Sequence, residues 1–506
     1  MALATLYCRA QLGMDAPLVT VEVDIGNGLP AFALVGLPEA SVREARERVR
    51  AAILNAGFEF PARRITVNLA PAELPKEGGR FDLAIALGIL QASQQLPQGD
   101  NNSLEFYGEL ALSGELRPCQ GLLPALLACQ QAGRSAFYPD ANQGEAQLLP
   151  ALKAHGAPSL LAVCAHLAGQ QALPIAPSCQ VDAAPIPPPL SLNDVVGQAQ
   201  AKRALMVAAA GGHHLLFIGP PGTGKSMLAR RLPGLLPPLE EAQAQESAAI
   251  HSLAGKPRDN GSWRQPPWRT PHHTASAVAL VGGGSVPRPG EISLAHSGVL
   301  FLDELAEYDR KVLDSLREPM ETGEVSISRA AQQARFPARF RLVAAANPCP
   351  CGHFGNPRRP CRCSPEQIRR YLGRLSGPFL DRIDLQVEVA MLPPGSFSGQ
   401  QQSGPDMAEL CRRVAACQAR QRARQGCLNA DLEGEALRLA CQLAPELAQW
   451  FDSTLQALGL SARVHHKLLK VARTLADWQQ VEGISQQHLA EAMQYRAMDR
   501  LLGALP

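Results

Sequence analysis

The sequence predicts a multidomain α/β protein with an α+β amino-terminal part, a P-loop α/β core and an all-helical carboxy-terminal part. Three observations support this fold class. A glycine-rich loop of the phosphate-binding type lies between an apolar strand and a helix near the middle of the chain. A Pro-rich segment precedes it, and the last part of the chain is rich in Leu, Ala, Arg and Gln. The length of 506 residues fits roughly two to four domains.

Two breaks divide the chain into three domains. Four of the last six residues of segment 179–190 are Pro, and such segments form extended linkers. Segment 392–405 carries Pro, Gly, Ser and Gln with few core residues. We therefore expect domains at 1–178, 191–391 and 406–506.

Within the first domain, short strand and helix patterns alternate. Residues 19–25 alternate between apolar and polar with the period of a half-buried strand, and residues 64–69 are a second strand candidate. Apolar residues recur at helical spacing over 41–56, and Gly57 is placed to end that helix. Residues 81–91 predict a buried helix.

Charge and hydropathy exclude several classes of protein. Lys and Arg total 48 against 46 Asp and Glu, a net charge of +2, so any contact with nucleic acid must come from a local patch. Thirteen Cys in a chain of this length do not form a disulfide scaffold. The first residues lack the pattern typical of a secretory signal, and no apolar run approaches the ~18 residues of a membrane helix, so we expect neither. We expect a cytoplasmic protein that does not enter the membrane.

The glycine-rich loop fits the G-x-x-x-x-G-K-[ST] pattern that binds nucleotide phosphates. It consists of Gly219, Pro220, Pro221, Gly222, Thr223, Gly224, Lys225 and Ser226. An apolar strand at 214–218 precedes it and a helix follows, so a chance match on a Gly-rich turn is the weaker interpretation. Backbone N–H groups and the helix N-terminus would hold the phosphates. Lys225 would bridge the β- and γ-phosphates, and Ser226 would bind Mg²⁺.

Two further strands end in polar residues suited to hydrolysis. The apolar run 298–302 ends in Asp303, which would hold the Mg²⁺ shell, and Glu304, which would polarise the attacking water as general base. The apolar run 341–346 ends in Asn347. Strand ends of a parallel sheet face the ligand, so Asn347 would hydrogen-bond the γ-phosphate or the lytic water. A helix cap or turn residue is the alternative.

These three motifs together resemble those of an AAA+ ATPase. Leu-Val-Gly-Gly-Gly at 280–284 and Arg-Pro-Gly-Glu-Ile-Ser-Leu-Ala-His at 288–296 are similar to the magnesium-chelatase ATPase subunit. Pro-His-His-Thr at 271–274 and Asn-Pro-Cys-Pro-Cys-Gly at 347–352 extend the likeness to the YifB/ComM family over essentially the whole chain. The resemblance implies ATP as the nucleotide and a helical lid as the last domain.

The resemblance also implies two elements that line the central pore of a hexamer and touch DNA, as in related hexameric motors. One is an insertion at 275–289, before the acidic strand. The other is a hairpin with arms at 324–329 and 334–343 and its tip at 330–333.

Two arginines match family positions that act on the γ-phosphate. Arg382, in Leu-Asp-Arg-Ile-Asp at 380–384, matches the arginine finger that reaches a neighbouring subunit's nucleotide. Arg463, at the start of a helix in the last domain, matches the second sensor. An Arg at developing phosphate charge accelerates analogous NTPases by ~10³–10⁵. Plain surface arginines are the alternative that spacing leaves open.

By the same resemblance, the first domain is similar to the Lon-type protease (S5-like) fold, on the strings at 75–82 and 108–114. Arg80 stands where an active protease has its nucleophilic Ser, and Leu123 stands near the place of the partner Lys. Lys76 lies on another position of the motif. Because the Ser–Lys chemistry needs both groups, we expect no peptidase activity and a scaffold or ring-building role.

Four cysteines are grouped in the pattern C-x-C-x₉-C-x-C. They are Cys349, Cys351, Cys361 and Cys363. Four thiolates suit tetrahedral Zn²⁺, so we expect a structural zinc site, with His353 as a possible substitute ligand. Unmetallated thiols and a redox pair are the alternatives.

The stretch around the second pair of cysteines is the most basic in the chain. Its arginines would hold DNA phosphates or form a solvated or intersubunit face, and spacing does not decide between these. They are Arg358, Arg359, Arg362, Arg369, Arg370 and Arg374.

The leading hypothesis, which the resemblance to the YifB/ComM family implies, is an ATP-driven hexameric DNA motor that promotes branch migration of recombination intermediates during natural transformation. Its partner would be branched or single-stranded DNA. The alternative is a chelatase-type ATPase that remodels a protein partner without DNA helicase activity. The fused Lon-like domain disfavours a true magnesium chelatase.

Overall fold

The computed structural model describes residues 2–36, 44–177, 190–284, 287–328, 333–356, 358–393, 406–459 and 462–503. The two predicted linkers, 179–190 and 392–405, fall almost wholly outside these residues. The described chain is a mixed α/β structure. A four-stranded, a three-stranded and a two-stranded sheet lie in its amino-terminal part, a parallel five-stranded sheet lies in the middle, and helices follow.

Alternating apolar residues build the first sheet. Its strands are β1 (Ala2–Arg9), β2 (Leu18–Gly26), β3 (Ala31–Val35) and β4 (Arg64–Ala70), in the order β1-β2-β4-β3. Buried and partly exposed residues alternate along the whole of β2. The strands predicted at 19–25 and 64–69 are therefore confirmed.

Two helices pack in this region. They are α1 (Ala45–Asn55) and α2 (Asp82–Ala92). Every residue of α2 is buried, which confirms the buried helix predicted at 81–91. The helix predicted at 41–56 covers α1, while residues 41–43 lie outside the described ones.

A second small sheet completes the amino-terminal part. Its region contains β5 (Leu104–Phe106), β6 (Glu109–Leu110), β7 (Leu116–Arg117), α3 (Leu123–Gln131), β8 (Ser135–Pro139), α4 (Gln143–Ala146), β9 (Ala154–Ala157) and α5 (Leu160–Leu167). The parallel sheet has the order β5-β8-β9, and β6 pairs with β7.

The middle part alternates strands and helices. Its strands are β10 (Leu215–Ile218), β11 (Trp268–Arg269), β12 (Gly282–Gly283), β13 (Arg288–Pro289), β14 (Val299–Leu302), β15 (Glu324–Ser328), β16 (Gln333–Pro337), β17 (Arg341–Ala346) and β18 (Leu385–Glu388). Its helices are α6 (Ala199–Gly211), α7 (Lys225–Ala229), α8 (Glu241–Leu253), α9 (Ala277–Val281), α10 (Glu291–Leu294), α11 (Arg310–Ser315), α12 (Arg317–Thr322), α13 (Pro365–Leu372) and α14 (Gly377–Leu380).

The central sheet has the order β11-β14-β17-β10-β18, and all of its pairings are parallel. Every residue of β10 and β14 is buried, as expected of short apolar strands that helices cover on both faces. Because the strands are parallel, the residues that follow β10, β14 and β17 meet at one edge of the sheet.

The predicted hairpin is present, but the expected second arm, 334–343, was too long. β15 and β16 pair antiparallel, and this arm ends at Pro337. Exposed and buried residues alternate in β16, whereas β17 is almost wholly buried and pairs in the central sheet. The change of burial pattern therefore splits the predicted arm between two sheets. The predicted tip at 330–333 lies largely outside the described residues.

The predicted insertion at 275–289 contains α9 and the short antiparallel pair of β12 and β13. It enters α10 and then β14, so it lies immediately before the strand that ends in the two acids. The glycines of β12 allow this turn, because a Cβ on Gly282 would lie 2.3 Å from the carbonyl oxygen of Arg288.

The carboxy-terminal part is helical throughout its described residues. It contains α15 (Met407–Gln425), α16 (Gly434–Ala440), α17 (Pro445–Ala457), α18 (Ala462–Trp478), α19 (Gln486–Gln494) and α20 (Ala497–Gly503). Its apolar side chains share one buried cluster with α6 and with strands of the central sheet, so these helices pack directly on the core. The described helices include none that combines the length and apolar character needed to span a bilayer.

The amino-terminal part does not close its hydrophobic core alone. Five residues on α8 or beside it belong to the same buried cluster as the first sheet. They are Leu239, Ala244, Ala248, Ala249 and Trp263. The first domain and the core around the central sheet are therefore joined by a shared apolar interior.

Hydrogen bonds at this joint involve Arg80 and Leu123. These are the two residues that the sequence analysis aligned with the Ser and Lys of active Lon-type proteases. Arg80 donates to the carbonyl oxygen of Gln120 at 2.8 Å, and the Gln120 amide donates to the carbonyl oxygen of Leu253 at 3.1 Å. The backbone N–H of Leu123 donates to the hydroxyl of Ser252 at 3.4 Å. The end of α8 thus lies against both positions.

An acidic residue in the shared core should destabilise the packing of the first domain against α8. Ala248 is 1% exposed, and an uncompensated buried charge costs about 3–5 kcal/mol. We expect Ala248→Asp to lower the free energy of unfolding by that order, measured by urea denaturation followed by circular dichroism.

Ala242→Asp is the matched control, because Ala242 is exposed in the first turn of the same helix. A carboxylate near a helix N-terminus is favourable, so this variant should stay within about 0.5 kcal/mol of the parent. Equal stability of the two variants would contradict the shared core.

Candidate functional site

The glycine-rich loop follows β10 and closes around the side chain of Lys225. Gly222 and Gly224 have φ angles of 80° and 92°, which residues with a Cβ rarely adopt. Lys225 is 8% exposed, and its ammonium donates hydrogen bonds to the carbonyl oxygens of Gly219, at 2.7 Å, and Pro220, at 2.9 Å. The glycines therefore allow a tight turn that leads into α7.

The first acid after β14 lies against the end of this loop. Ser226 Oγ donates a hydrogen bond to Asp303 Oδ2 at 2.7 Å. Hydroxyl and carboxylate oxygens are ligands that Mg²⁺ accepts, together with waters and phosphate oxygens. The structure thus brings together the two side chains that the sequence assigned to this ion.

Asn347 joins the group from the third strand. Its amide oxygen accepts a hydrogen bond from Lys225 Nζ at 3.1 Å. Ile218 at the end of β10 is paired with Ala346 at the end of β17, so the loop and Asn347 leave the sheet side by side. The amide is therefore held beside the ammonium of Lys225.

Glu304 lies beside this group. Its φ of 50° is in the left-handed region, and its backbone N–H donates to Asp303 Oδ1 at 3.0 Å. The side chain is 54% exposed, and its Oε2 lies 3.3 Å from Nδ1 of His273. An exposed carboxylate at this edge can meet a water molecule, as a general base must.

His273 is a neighbour of Glu304 that the sequence analysis did not assign to the site. Its ring lies tilted by 33° against that of His272, with 4.1 Å between centroids, and it lies edge-on to Tyr308. The string Pro-His-His-Thr at 271–274 contains His273, but in the sequence it indicated the family and not a position beside Glu304.

The electrostatics of the site favour an anion. Burial lowers the pKa of Lys225 to about 8, and the carboxylates of Asp303 and Glu304 oppose this shift. Phosphate groups that replace the carbonyl contacts of the ammonium would favour its charged form. The lysine therefore gains charge stabilisation when an anionic ligand binds.

The two predicted arginines lie apart from the loop. Arg382 Nε donates to the carbonyl oxygen of Arg317 at 3.1 Å, and its Nη2 pairs with Glu321. Arg463 is exposed and borders a cavity of about 740 Å³ lined by α16, α17 and α18. Within the described residues, no hydrogen bond or ion pair joins either arginine to the glycine-rich loop, so their roles stay predictions.

A buried ion pair ties the helix of Arg463 to the segment of Arg382. Lys467, on α18, donates to Asp384 Oδ1 at 2.6 Å and to the carbonyl oxygen of Arg382 at 2.7 Å. Burial alone would raise the pKa of Asp384, but Lys467 and His213 hold it well below its usual range. The sequence motif included Asp384, whereas its partner became visible only in the fold.

The four grouped cysteines converge just after Asn347. The Sγ atoms of Cys349, Cys351 and Cys361 lie 3.4 to 3.6 Å apart, and with Cys363 all four lie within 4.8 Å of one another. Thiolates that surround Zn²⁺ at ~2.3 Å in a tetrahedron are roughly 3.8 Å apart. The cluster is therefore compatible with one zinc ion.

His353, the predicted substitute ligand, does not belong to this sulfur cluster. Its Nδ1 lies 3.5 Å from the amide nitrogen of Asn356 instead. The ligand set compatible with a metal is thus the four thiols alone.

Sequence models of a known family match most of the chain. Two models of the magnesium chelatase subunit ChlI match residues 191–396 and residues 21–142. A third, of the carboxy-terminal part of that subunit, matches residues 404–496. Together they cover all three parts of the chain.

The chain is also similar to curated proteins. It is 52% identical over 508 aligned positions to competence protein ComM of Haemophilus influenzae, covering 100% of this chain and 99% of that protein. It is 52% identical to YifB of Salmonella typhimurium, over 99% and 98% of the two chains. A magnesium-chelatase 38 kDa subunit of Cereibacter sphaeroides is 30% identical over 40% of this chain and 59% of its own. The chain therefore belongs to the ComM/YifB family of magnesium-chelatase-like AAA+ proteins.

Proposed function

We propose that the chain hydrolyses ATP at the edge of the central sheet where β10, β14 and β17 end. The observation that carries this proposal is the hydrogen-bonded group of Lys225, Asn347, Ser226 and Asp303. Membership in a magnesium-chelatase-like AAA+ family supports ATP and Mg²⁺ as its ligands.

In this proposal the ammonium of Lys225 exchanges its carbonyl partners for the β- and γ-phosphates. Ser226 and Asp303 hold Mg²⁺, which offsets negative charge on the phosphates. Water attacks the γ-phosphorus, the bond to the β-phosphate oxygen breaks, and ADP leaves with its electron pair. Glu304 accepts the proton of the water, and Asn347 orients the water or the γ-phosphate.

We assign the two arginines to the assembled state, a hexamer. Arg382 would stabilise the transition state at a neighbouring subunit's nucleotide, in exchange for its present partner Glu321. Arg463, on the helical lid, would contact the γ-phosphate of the bound nucleotide as the second sensor. Lys467 links the two, because it contacts the backbone of Arg382 from the helix that carries Arg463.

The proposed partner of the hexamer is branched or single-stranded DNA, and the proposed outcome is branch migration during natural transformation. The identity of 52% to a competence protein supports this. The arginines of the basic stretch are exposed, and so is Arg335 on the hairpin of β15 and β16. Local cationic surfaces suit phosphate contacts in a chain whose net charge is only +2.

A protein-remodelling ATPase is the second candidate. The 30% identity to a magnesium-chelatase subunit over the nucleotide-binding region favours it. The two candidates differ in the macromolecule that should stimulate hydrolysis.

We propose a scaffold role, without peptidase activity, for the Lon-like first domain. Arg80 is engaged in hydrogen bonds to Gln11 and Gln120, and Leu123 lies against α8. These contacts support a structural role for Arg80 and Leu123, the residues aligned with the Ser and Lys of active Lon-type proteases. We also propose that the four grouped cysteines bind one structural Zn²⁺.

Nucleotide affinity should fall as the pH rises above about 8. The pKa of Lys225 is lowered to about 8, and bound phosphates must raise it because they favour the ammonium. Binding at higher pH therefore takes up a proton, and affinity should fall about tenfold per pH unit. Below the pKa of the free site the affinity should be flat. Fluorescence anisotropy with a labelled ATP analogue measures this profile.

Lys225→Arg tests whether the proton taken up on nucleotide binding goes to the side chain of residue 225. A guanidinium keeps its charge over this range, so the slope above pH 8 should vanish whatever the affinity. An unchanged slope in Lys225→Arg would assign the proton to another group.

DNA should stimulate turnover in a way that requires Glu304. ATPase activity of the parent should rise with four-way-junction DNA, and the protein should separate the strands of the same junction in a strand-displacement assay. Glu304→Gln should still bind ATP but lose turnover by about 10²–10⁴, because the base is gone. Glu59→Gln, an exposed acid in the first domain, should behave as the parent.

Two outcomes would contradict these assignments. Full turnover in Glu304→Gln would remove its role as base. A competent hexamer that DNA neither binds nor stimulates would exclude the DNA motor and leave the remodelling ATPase.

A further inference from the structure

The segment 349–363, here called the cysteine loop, packs against the P-loop. Asn347 lies two residues before it. Gly352, within it, touches Pro221 so closely that an added Cβ would lie 2.7 Å from Pro221 Cδ and 3.2 Å from Cγ. No carbon atom fits between the two loops without movement, since real Cβ contacts are longer. At Gly352 the cysteine loop thus packs against the loop that is proposed to bind the nucleotide.

The same loop also contacts the segment that follows β18 and leads toward the helical lid. The amide nitrogen of Asn356 donates to Met391 Sδ at 3.0 Å, and Arg358 Nη2 donates to the carbonyl oxygen of Leu392 at 2.7 Å. A cavity of about 70 Å³ lies between these parts. Its lining includes Gly219, Pro220, Phe354, Asn356, Glu388 and Met391.

The cysteine loop has little regular structure of its own. Its described residues contain no helix or strand. Two of its backbone groups donate to sulfur: the N–H of Phe354 to Cys349 Sγ at 3.3 Å, and the N–H of Cys363 to Cys361 Sγ at 3.4 Å. Such contacts orient ligands around a metal. A short segment organised around four sulfur atoms owes its shape to what those atoms bind.

We propose that zinc bound by the four cysteines holds this loop against the P-loop, so that nucleotide affinity depends on the metal. This inference rests on the proposed nucleotide site. With the metal bound, the cysteine loop holds three neighbours in place. They are Asn347, which precedes the loop, Pro221 of the P-loop, which Gly352 contacts, and the segment of Met391 and Leu392 that leads toward the helical lid. When the metal is lost, all three lose a fixed neighbour, and the site is no longer preorganised for phosphate.

The first test compares zinc-loaded and zinc-free full-length protein. Freshly reduced protein should contain about one zinc per chain by mass spectrometry. Removal of zinc, with Mg²⁺ restored afterwards, should weaken binding of a labelled ATP analogue about tenfold, or ~1.4 kcal/mol. Zinc added back should restore it. Protein without zinc, or equal affinity in both forms, would overturn the proposal.

A steric variant tests the contact without touching a ligand. Gly352 and Gly355 have φ angles of 78° and 76°, so an Ala at either position meets a similar backbone strain. Only at Gly352 does the new Cβ collide with Pro221, while nothing lies within 4 Å at Gly355. Gly352→Ala should keep its zinc and bind nucleotide about tenfold more weakly. Gly355→Ala should keep both properties, and equal affinity of the two variants would overturn the coupling.

Lys225→Ala distinguishes a failure of this inference from a failure of the proposed function. If Lys225→Ala binds the analogue as the parent does, the nucleotide site itself is misplaced and both proposals fall. If Lys225→Ala loses binding while zinc-free protein and Gly352→Ala keep it, the ATPase proposal stands and only the link to the metal is lost.

Discussion

The parallel pairing of β10, β14 and β17 positions every group of the proposed nucleotide site. Ile218 is paired with Ala346, and Leu302 with Ala344, so three chain segments leave one edge of the sheet within two residues of each other. Their polar side chains cannot separate without breaking buried backbone hydrogen bonds, which leaves unsatisfied polar groups in an apolar interior. The contacts of Lys225 with Asn347 follow from this register.

The sequence allowed the local parts of the site to be predicted, because each is written in consecutive residues. The P-loop, the acids after β14 and Asn347 all follow short apolar runs of the expected kind. The contacts that join separate segments could not be predicted. Lys467 and Asp384 are 83 residues apart, and no local pattern indicates that a lysine on α18 will form an ion pair with a buried acid.

The misjudged hairpin arm shows a related limit. Strand-forming residues run almost without interruption from β16 into β17, and propensity alone does not tell where one sheet ends. Burial decides it, since one face of β16 is exposed while β17 is enclosed. The tight contact of Gly352 with Pro221 could not be predicted either, because it joins two segments that are distant in the sequence. Nothing in either motif indicates that the cysteines and the P-loop would be neighbours.

The shared core around α8 has a consequence for synthesis. Domains generally fold as the chain leaves the ribosome, amino-terminal part first. Here the first sheet is complete long before Leu239, Ala248 and Trp263 have been made, so its apolar surface must stay uncovered until they emerge. The order of synthesis thus leaves the part of the first domain's apolar surface that α8 covers exposed to water until α8 has been made.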